Sequence, residues 1–566
     1  MLQINEIDFS YGRRKAPVFE HFSLRFEPGH IYGLLGKNGT GKSTLLYLMS
    51  GLLRQQRGTV LFEGTDVRLR RPEVLQEMFL VPEEIELPHL SMERYVQLNA
   101  CFYPHFDYEV LMRCMTDFDL DPQAKLDSLS MGQRKKAFVC FALATGTRLL
   151  LMDEPTNGLD IPSKSIFRQV VARHITEDRT LIVSTHQVND VAMLLDHVVM
   201  LQGSHLLLNR SVADISAAVR CEERAWANPR TTRSMCRTRS RATPWWWRTT
   251  PPTTKRRWTS NSSSAVPKPA NFPKVSPVNS PPETMKNFSL KRMAQVMRIT
   301  FCQNHKWFLN IGIAYLLAHF VGQALVFYTI SNSPEAPDWY IAGRMHSATG
   351  AFVMISAFLI LGGISFTFDV LKDKNKRIAI LMLPASNAEK FVARLLICTV
   401  GVWVLNAVCI LLADGLRQLV YHWSDTPLGS ALPALWEFIG NNGTVFSSAM
   451  SEPFVAGQST GWCAVAFVVS SGFMTYSFFL LGSAVFRKQA FILTGLCGLG
   501  LTLVGTYVAG TVAGLFEYSF TEKEVFAFLV NIVPVGAVVQ LLVGAGFVWL
   551  SYRLFERMTV VRRNLF

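Results

Sequence analysis

GKNGTGKS, at residues 36–43, follows the apolar run HIYGLL at 30–35 and leads into STLLYLMSG at 43–51. The apolar run predicts a buried strand, and the stretch after the motif predicts a helix. Glycines between them permit positive backbone angles and close approach, so loop N–H groups and the helix N-terminus can face phosphate oxygens. The lysine would reach the β- and γ-phosphates, and the serine would bind Mg²⁺. The residues predicted to bind a nucleotide here are Gly36, Asn38, Gly39, Gly41, Lys42, Ser43 and Thr44.

A second motif, LLLMDEP at 149–155, is an apolar run that ends in two carboxylates. A strand of this kind delivers its last residues to the carboxyl edge of a parallel sheet, where such sheets bind their ligands. Asp153 would hold Mg²⁺, directly or through water, and Glu154 would orient or deprotonate the attacking water. A helix N-cap is the alternative for an isolated Asp-Glu pair, but the neighbouring motifs favour the catalytic role.

The order of three motifs gives the chain a specific resemblance. LSMGQ, at 129–133, lies between the phosphate loop and the Asp-Glu pair. A phosphate loop, LSxGQ and an apolar strand ending in Asp-Glu resemble, in this order, the ABC-type transport ATPases. The resemblance implies that Ser130 and Gly132 bind the γ-phosphate held by another subunit, and it places Gln133 in the same nucleotide-binding motif. It therefore implies ATP and Mg²⁺ as cofactors, and a homodimer or a heterodimer with a second ABC half.

Three further residues match positions of that family. His186, at the end of TLIVSTH, matches a switch residue that contacts the γ-phosphate, and it joins Glu154 as a predicted catalytic residue. Asp160, in NGLD, matches the loop that crosses the dimer interface, and Tyr11, in DFSYG, matches the aromatic residue that stacks on adenine. A histidine after a strand is more often a surface residue, and an edge-strand tyrosine needs no ligand.

Two positions depart from the family pattern. Met131, directly before Gly132, stands where the signature usually has another glycine. Glu83, in LVPEE at 80–84, stands where the family usually has a glutamine that senses Mg²⁺. A carboxylate there can still bind Mg²⁺, so the predicted metal ligands are Ser43, Glu83 and Asp153. Unlike the neutral amide of a glutamine, the Glu83 carboxylate would bring a negative charge nearer the γ-phosphate.

Apolar residues are concentrated after about residue 305, in six runs of about twenty residues or more, each long enough to cross a bilayer. The runs centre on Ala318, Phe358, Val402, Val469, Gly500 and Val538. Basic residues precede the first run, separate the second from the third and the fourth from the fifth, and follow the sixth. The alternate loops are acidic, which predicts that both ends of this half are cytoplasmic.

The segment 285–303 has a rough helical stripe of apolar residues among basic ones. It fits a helix lying in the inner membrane interface, or a basic flank of the first span. Polar residues within the spans, among them His319, Gln323 and Asn406, are candidates for a substrate path, although hydrogen bonds between helices are the commoner role. No charge is expected in mid-membrane, and the segment from about Asp414 to Ser459 is predicted to be an outer loop.

The segment that joins the two halves has an unusual composition. From Cys221 to Thr284 it holds twelve basic and three acidic residues, and WWW stands at 245–247. A natural disordered linker is one interpretation. The other is a frameshift that fused two adjacent genes, because the tryptophan codons read one base over give Val-Val. In either case the basic patch is not interpreted as a nucleic-acid site, and no nucleic-acid partner is predicted.

These patterns predict an α/β P-loop ATPase domain at 1–220, a disordered basic linker at 221–284, and an all-α transmembrane domain with six helices at 285–566. The hydropathy layout of the last part resembles the type-two ABC exporters. The implied function is ATP-hydrolysing export of an unidentified substrate across the cytoplasmic membrane by a multi-pass protein with a cytoplasmic ATPase domain. The alternatives are a lipid or polysaccharide flippase and a membrane-bound regulatory ATPase that signals nucleotide state to a partner without moving a solute.

Overall fold

A computed structural model describes residues 1–12, 14–203, 205–218, 221–222, 235–236, 288–331, 353–421, 459–486, 489–516 and 522–560. The chain divides into two compact units. The first consists of Met1–Asn287, Ile378–Ser386 and Thr559–Arg563, and the second of Phe288–Arg377, Asn387–Met558 and Asn564–Phe566. Two short segments from the C-terminal half of the sequence therefore belong to the N-terminal unit.

The first unit is built on two sheets. Its strands are β1 (Leu2–Phe9), β2 (Phe19–Phe26), β3 (Ile31–Leu35), β4 (Arg57–Phe62), β5 (Thr65–Asp66), β6 (Met78–Val81), β7 (Leu149–Asp153), β8 (Thr180–Thr185), β9 (His197–Gln202) and β10 (His205–Ser211). The larger sheet has the order β10-β9-β3-β8-β7-β6, and all its neighbours are parallel except β9 and β10. The smaller sheet, β2-β1-β4-β5, is antiparallel.

The larger sheet positions the predicted site. Every residue of β3, β7 and β8 is buried, as expected for parallel strands covered on both faces. Strand β8 pairs with β3 on one side and β7 on the other. The loops that leave the carboxyl ends of these three strands therefore emerge side by side. They carry the phosphate loop, the Asp-Glu pair and the histidine of TLIVSTH, so the predicted motifs converge at one sheet edge.

Helices connect these strands. They are α1 (Lys42–Met49), α2 (Pro72–Leu75), α3 (Met92–Asn99), α4 (Tyr108–Asp117), α5 (Met131–Ala144), α6 (Ile161–His174), α7 (Val188–Val191) and α8 (Val212–Ala218). Helix α1 is buried along most of its length against the sheet, and α5 begins within LSMGQ. In the predicted linker, the described residues form two short antiparallel strands, β11 (Cys221–Glu222) and β12 (Met235–Cys236). The disorder predicted for 221–284 otherwise concerns residues outside the described ones.

The apolar core of the first unit extends beyond its N-terminal sequence. Residues of β1, β2, β4 and α1 form one buried cluster with Ile378, Leu381, Met382 and Val560. The backbone N–H of Val560 also donates a hydrogen bond of 2.9 Å to the carbonyl of Leu52. Residues from between the second and third predicted membrane runs, and one from near the end of the chain, thus complete the core of the first unit.

The second unit is helical. Its helices are α9 (Leu290–Gln303), α10 (His305–Ser331), α11 (Val353–Ser365), α12 (Lys374–Met382, which ends in the first unit), α13 (Asn387–Leu396), α14 (Val402–Tyr421), α15 (Ser459–Val485), α16 (Ala490–Phe516) and α17 (Glu522–Glu556). Helix α9 covers most of the segment predicted to lie at the membrane interface. A π-helical stretch, Ile397–Gly401, joins α13 to α14.

Five stretches among the described residues are long and apolar enough to cross a membrane. They are His305–Leu325, Asn387–Val420, Ala466–Val485, Ala490–Tyr507 and Val533–Glu556. They correspond to the first, third, fourth, fifth and sixth predicted runs. The second run, centred on Phe358, is represented by the shorter apolar helix α11, and its N-terminal part lies outside the described residues. The structure therefore supports five candidate spans where the sequence predicted six.

The expectation of an outer loop from Asp414 is wrong at its start. Helix α14 continues to Tyr421, so Asp414 and Arg417 lie inside a helix. Both are almost completely buried, and the Arg417 guanidinium donates to the Asp414 carboxylate at 2.9 Å. Pairing lets these two side chains remain within an apolar helix, and it is the reason that hydropathy alone misplaced them. Both residues lie near the end of the candidate span Asn387–Val420, so the expectation that no charge lies in mid-membrane stays a prediction.

Candidate nucleotide site

The loop between β3 and α1 has the backbone that a phosphate loop needs. Gly39 and Gly41 have φ of 85° and 95°, in the region that glycine enters most easily. A Cβ on Gly41 would also come within 2.9 Å of Val18 and 3.0 Å of Phe19. Asn38 is exposed at the tip of this loop. The first residues of α1 present their N–H groups toward the loop, as anion binding at a helix N-terminus requires.

Lys42 folds back over the loop. Its ammonium donates to the carbonyls of Gly36, at 2.9 Å, and Lys37, at 3.2 Å, and only 6 % of the residue is exposed. Burial lowers the pKa of Lys42, while the carboxylates of Glu154, Asp153 and Glu83 oppose that shift. A buried cation in this loop is what the binding of a triphosphate would need.

Ser43 and Asp153, the two residues predicted to hold Mg²⁺ together with Glu83, lie in hydrogen-bond contact. The Ser43 hydroxyl donates to Asp153 Oδ1 at 3.1 Å, and the hydroxyl of Ser184, in β8, donates to the same oxygen. Asp153 Oδ2 is buried and has no hydrogen-bond partner among the described residues. Burial raises the pKa of Asp153, and the two hydroxyl hydrogen bonds act in the opposite direction. A hydroxyl beside a carboxylate oxygen without a partner fits the oxygen ligands that Mg²⁺ prefers.

Glu154 and His186 form a pair. Glu154 Oε1 lies 2.8 Å from His186 Nδ1, and it also accepts a hydrogen bond of 3.1 Å from the backbone N–H of His186. Glu154 has φ of 46°, an uncommon value for a residue other than glycine. Its N–H donates to the carbonyl of Ser184 at 3.1 Å, which ties this strained turn to the end of β8. Such strain is typical of functional sites.

Lys135, in α5, is a residue that the sequence did not single out. Its ammonium is buried and donates to the carbonyls of Glu154 and Asn157, both at 3.0 Å. Burial lowers the pKa of Lys135. The contact joins the helix that starts in LSMGQ to the turn that carries Glu154. In the sequence, Lys135 stands four residues after Met131, about one turn along the predicted helix. This spacing was a weak signal, because basic residues on helices are far more often exposed than buried.

The LSMGQ residues themselves are bonded locally. Ser130 caps α5: its hydroxyl accepts from the N–H of Gln133 at 3.2 Å, and the Gln133 side chain accepts from the N–H of Ser130 at 3.0 Å. This is a capping box. A Cβ on Gly132 would come within 3.2 Å of the Gly158 carbonyl. Ser130 and Gln133 are exposed, so another molecule can reach them.

Asp160 caps α6 in the same way, by accepting a hydrogen bond of 3.0 Å from the N–H of Ser163. This cap explains Asp160 without a ligand, and its predicted role at a dimer interface stays a prediction. The side chain of Glu83 accepts a hydrogen bond of 3.4 Å from Asn157. Glu83 is exposed near Lys42, so its role as a metal ligand also stays a prediction.

Tyr11 lies against the first turn of α1. Its hydroxyl is 2.7 Å from the hydroxyl of Thr44, and its ring packs edge-on against Phe9 at 5.1 Å between centroids. Burial raises the pKa of Tyr11. The structure therefore brings Tyr11 and Thr44 together beside the phosphate loop, while the stacking on adenine stays a prediction.

Comparisons with known proteins agree with this geometry. Residues 19–157 match the sequence profile of the family described as "ABC transporter". The ABC transporter ATP-binding protein YtrB of Bacillus subtilis is 29 % identical over 193 residues, covering 33 % of this chain and 65 % of YtrB. The lantibiotic transport ATP-binding protein SrtF of Streptococcus pyogenes is 25 % identical over 221 residues, covering 37 % of this chain and 90 % of SrtF.

A solved ATP-binding subunit of an ABC transporter is 21 % identical, with a TM-score of 0.35, and covers 38 % of this chain and 92 % of that subunit. The chain spans just under two thirds of YtrB, and the alignments cover only its N-terminal part. The family match lies on the strands and loops that carry the phosphate loop, LSMGQ and the Asp-Glu pair. The N-terminal part of this chain is therefore an ABC transporter ATP-binding domain.

Proposed function

We propose that this chain is one half of an ATP-driven exporter in the cytoplasmic membrane, with its ATPase domain in the cytoplasm. The observation that carries the proposal is the Glu154–His186 pair, which lies beside Lys42 and the Ser43–Asp153 contact at one sheet edge. The five candidate spans that follow support a membrane location. The SrtF relative is a transport ATP-binding protein by name, which favours transport over an unrelated ATPase.

The residues of the site suggest a division of labour. Lys42 and the loop N–H groups bind the β- and γ-phosphates of ATP, and Thr44 and Tyr11 support the start of α1. Ser43 and Asp153 hold Mg²⁺, with Glu83 as a further candidate ligand; Mg²⁺ supplies charge neutralisation at the phosphate oxygens. Glu154 accepts a proton from, or orients, the attacking water, while His186 holds the carboxylate in place through their 2.8 Å contact.

The exposed LSMGQ motif is the reason that we propose a dimer. Ser130, Gly132 and Gln133 make no hydrogen bond to Lys42, Ser43 or Glu154 in the described part of the chain. Their position at the N-terminus of the 14-residue helix α5 suits an anion from a second subunit. Two such halves, identical or homologous, would each complete the site of the other, and Asp160 would lie near that interface.

Glu154→Gln in the full chain, reconstituted in proteoliposomes, tests the proposal. The amide cannot accept the proton of water, so we expect ATP hydrolysis to fall by roughly 10²-fold or more while ATP binding persists. Glu84→Gln is the matched control, since Glu84 is an exposed carboxylate next to the site. Near-normal hydrolysis by the Glu154 variant would remove Glu154 from catalysis.

A regulatory ATPase that moves no solute is the second candidate function, and the buried Asp414–Arg417 pair bears on it. A charged pair buried inside a candidate span is costly and is commonly retained for function within the membrane. We therefore favour transport. Stimulation of ATP hydrolysis by an added amphiphile, abolished by Glu154→Gln, supports transport; hydrolysis that responds to no amphiphile favours the regulator.

A further inference from the structure

Helices α10 and α14 pack together in the second unit, and their shared face holds buried polar side chains as well as apolar ones. Tyr315, Val402 and Cys409 form an apolar cluster there. On the same face, His319 and Gln323 are 0 % and 2 % exposed. Residues four apart on a helix share a face, so these two polar groups are neighbours.

The hydrogen bond of His319 to Asn406 determines which ring nitrogen can accept a hydrogen bond from a ligand. His319 Nε2 lies 3.0 Å from Oδ1 of the buried Asn406. An amide oxygen only accepts, so Nε2 carries the proton, and in the neutral ring Nδ1 is then an acceptor. His319 Nδ1 is buried and has no hydrogen-bond partner among the described residues.

Gln323 presents the same chemistry. Its Oε1 is an acceptor, is buried, and likewise finds no partner within the described ranges. Two buried acceptors without donors, one helical turn apart, would each cost free energy in an apolar surrounding. Groups of this kind in a native structure call for an explanation, and a ligand that donates hydrogen bonds to both provides one.

The charged residues near His319 and Gln323 indicate whether a cationic or a neutral hydrogen-bond donor would fit there. Asp414 accepts hydrogen bonds from Arg417, at 2.9 Å, and from Gln418, at 2.8 Å. The Arg417 guanidinium lies 3.7 Å from the centre of the Phe327 ring, one turn of α10 beyond Gln323. The one carboxylate that these contacts place beside the face is thus already bonded to a cation. Within the described residues of this face a cationic ligand would therefore find no carboxylate free of a cation, whereas hydroxyl groups donate without that cost.

We propose that His319 and Gln323 form a binding site for the hydroxylated head group of a neutral amphiphile, such as an alkyl glycoside, whose chain lies along the apolar α10–α14 face. This inference rests on the proposed transport function and names its substrate class. Neighbouring hydroxyls on a sugar ring can donate to Nδ1 and Oε1 together.

The test uses the full chain in lipid nanodiscs without nucleotide. The probe is an alkyl glucoside with a diazirine in its chain, photolysed with and without excess unlabelled octyl glucoside. We expect competable labelling of α10 and α14, reduced by about three- to tenfold in His319→Leu and in Gln323→Met, because each removes one acceptor. Asn310→Leu is the matched control, since Asn310 is a polar but exposed residue of the same helix.

Each other outcome overturns the site. Equal competable labelling in all variants, the absence of competable labelling, or an equal loss in Asn310→Leu would contradict it. Stronger competition by octyltrimethylammonium would show that the ligand is a cation. ATP hydrolysis by the same samples separates this failure from that of the proposed function: hydrolysis without competable labelling rejects only the site. Normal hydrolysis by the two variants shows that the first unit has folded, and an unchanged size-exclusion profile in detergent shows the same for the second unit.

Discussion

The proposed nucleotide site depends on single side chains, and Lys42 is the first of them. Its ammonium contacts two carbonyls of the loop, and its charge is felt by the carboxylates of Glu154, Asp153 and Glu83, so it is the cation placed at the predicted phosphate site. Lys42→Ala should weaken ATP binding by roughly tenfold to a hundredfold, the loss expected for a hydrogen bond to a charged group. Equilibrium binding of a fluorescent ATP analogue measures this. Lys37→Ala, in the exposed part of the loop, should bind normally, and unchanged affinity in Lys42→Ala would contradict the phosphate-loop assignment.

The prediction for Lys135 differs, because Lys135 contacts the turn that carries Glu154 and is not predicted to bind ATP or Mg²⁺ itself. Lys135→Met leaves the carbonyls of Glu154 and Asn157 without their donor. We expect a loss of about 1–3 kcal/mol, or several degrees in the unfolding temperature of the ATPase domain, together with slower hydrolysis. Lys136→Met, on the less buried neighbouring position, is the control. Normal stability and rate in Lys135→Met would show that this contact does not hold the catalytic turn.

The motif residues were predictable because their chemistry requires fixed residue types at fixed spacings. Lys135 and Ser184 were not, since a lysine or a serine acquires its partners only when α5 and β8 pack beside the catalytic turn. The structure places both within hydrogen-bond distance of that turn, through Glu154 and Asp153. The sequence therefore identified the groups that are proposed to contact the nucleotide and not the groups that support them.

At the level of helices, α5 combines a structural and a predicted binding role in one residue. Ser130 caps the helix and is predicted to bind a phosphate from the second subunit. Ser130→Asp keeps an N-cap acceptor but adds a negative charge where the phosphate would bind, so stability should hold while hydrolysis is lost. Ser130→Ala should instead lower stability by about 1 kcal/mol. Thermal unfolding and ATP turnover of both variants separate the roles; normal turnover in Ser130→Asp would leave Ser130 as a cap alone.

The helices of the second unit show where hydropathy succeeds and where it fails. Five of the six predicted runs appear as candidate spans because length and apolar content are local properties. The end of α14 was misplaced because Asp414 and Arg417 read as loop residues until their pairing is known. Likewise the apolar runs of the sequence predicted the buried strands β3, β7 and β8. No local pattern showed that Ile378 and Val560 join the core of the first unit.

For the chain as a whole, this shared core predicts that the linker is dispensable. Four apolar residues from the C-terminal half lie in the buried cluster of the first unit, and Val560 adds a backbone hydrogen bond to Leu52. Burial of apolar side chains stabilises by about 1.5–3 kcal/mol each at most, enough in sum to hold two fragments together. The linker sequence lacks apolar periodicity, so we expect it to add no comparable burial. A specific protease site placed at 245–247 should therefore be cut without separating the halves or stopping ATP hydrolysis.

Size-exclusion chromatography in mild detergent after cleavage measures this directly. Val560→Asp combined with Leu381→Asp places two charges in the apolar cluster, so the same cut should then release the ATPase fragment.

If the halves of the unsubstituted protein separate on cleavage while both stay folded, the segments after Arg377 and Met558 do not hold them, and the linker does. If they stay together but hydrolysis changes markedly, the linker regulates the enzyme, and the frameshift interpretation of its composition is wrong. Retained association with unchanged turnover is the result that the shared core requires, because the four apolar residues and the Val560–Leu52 hydrogen bond that join the two fragments lie outside the cut segment.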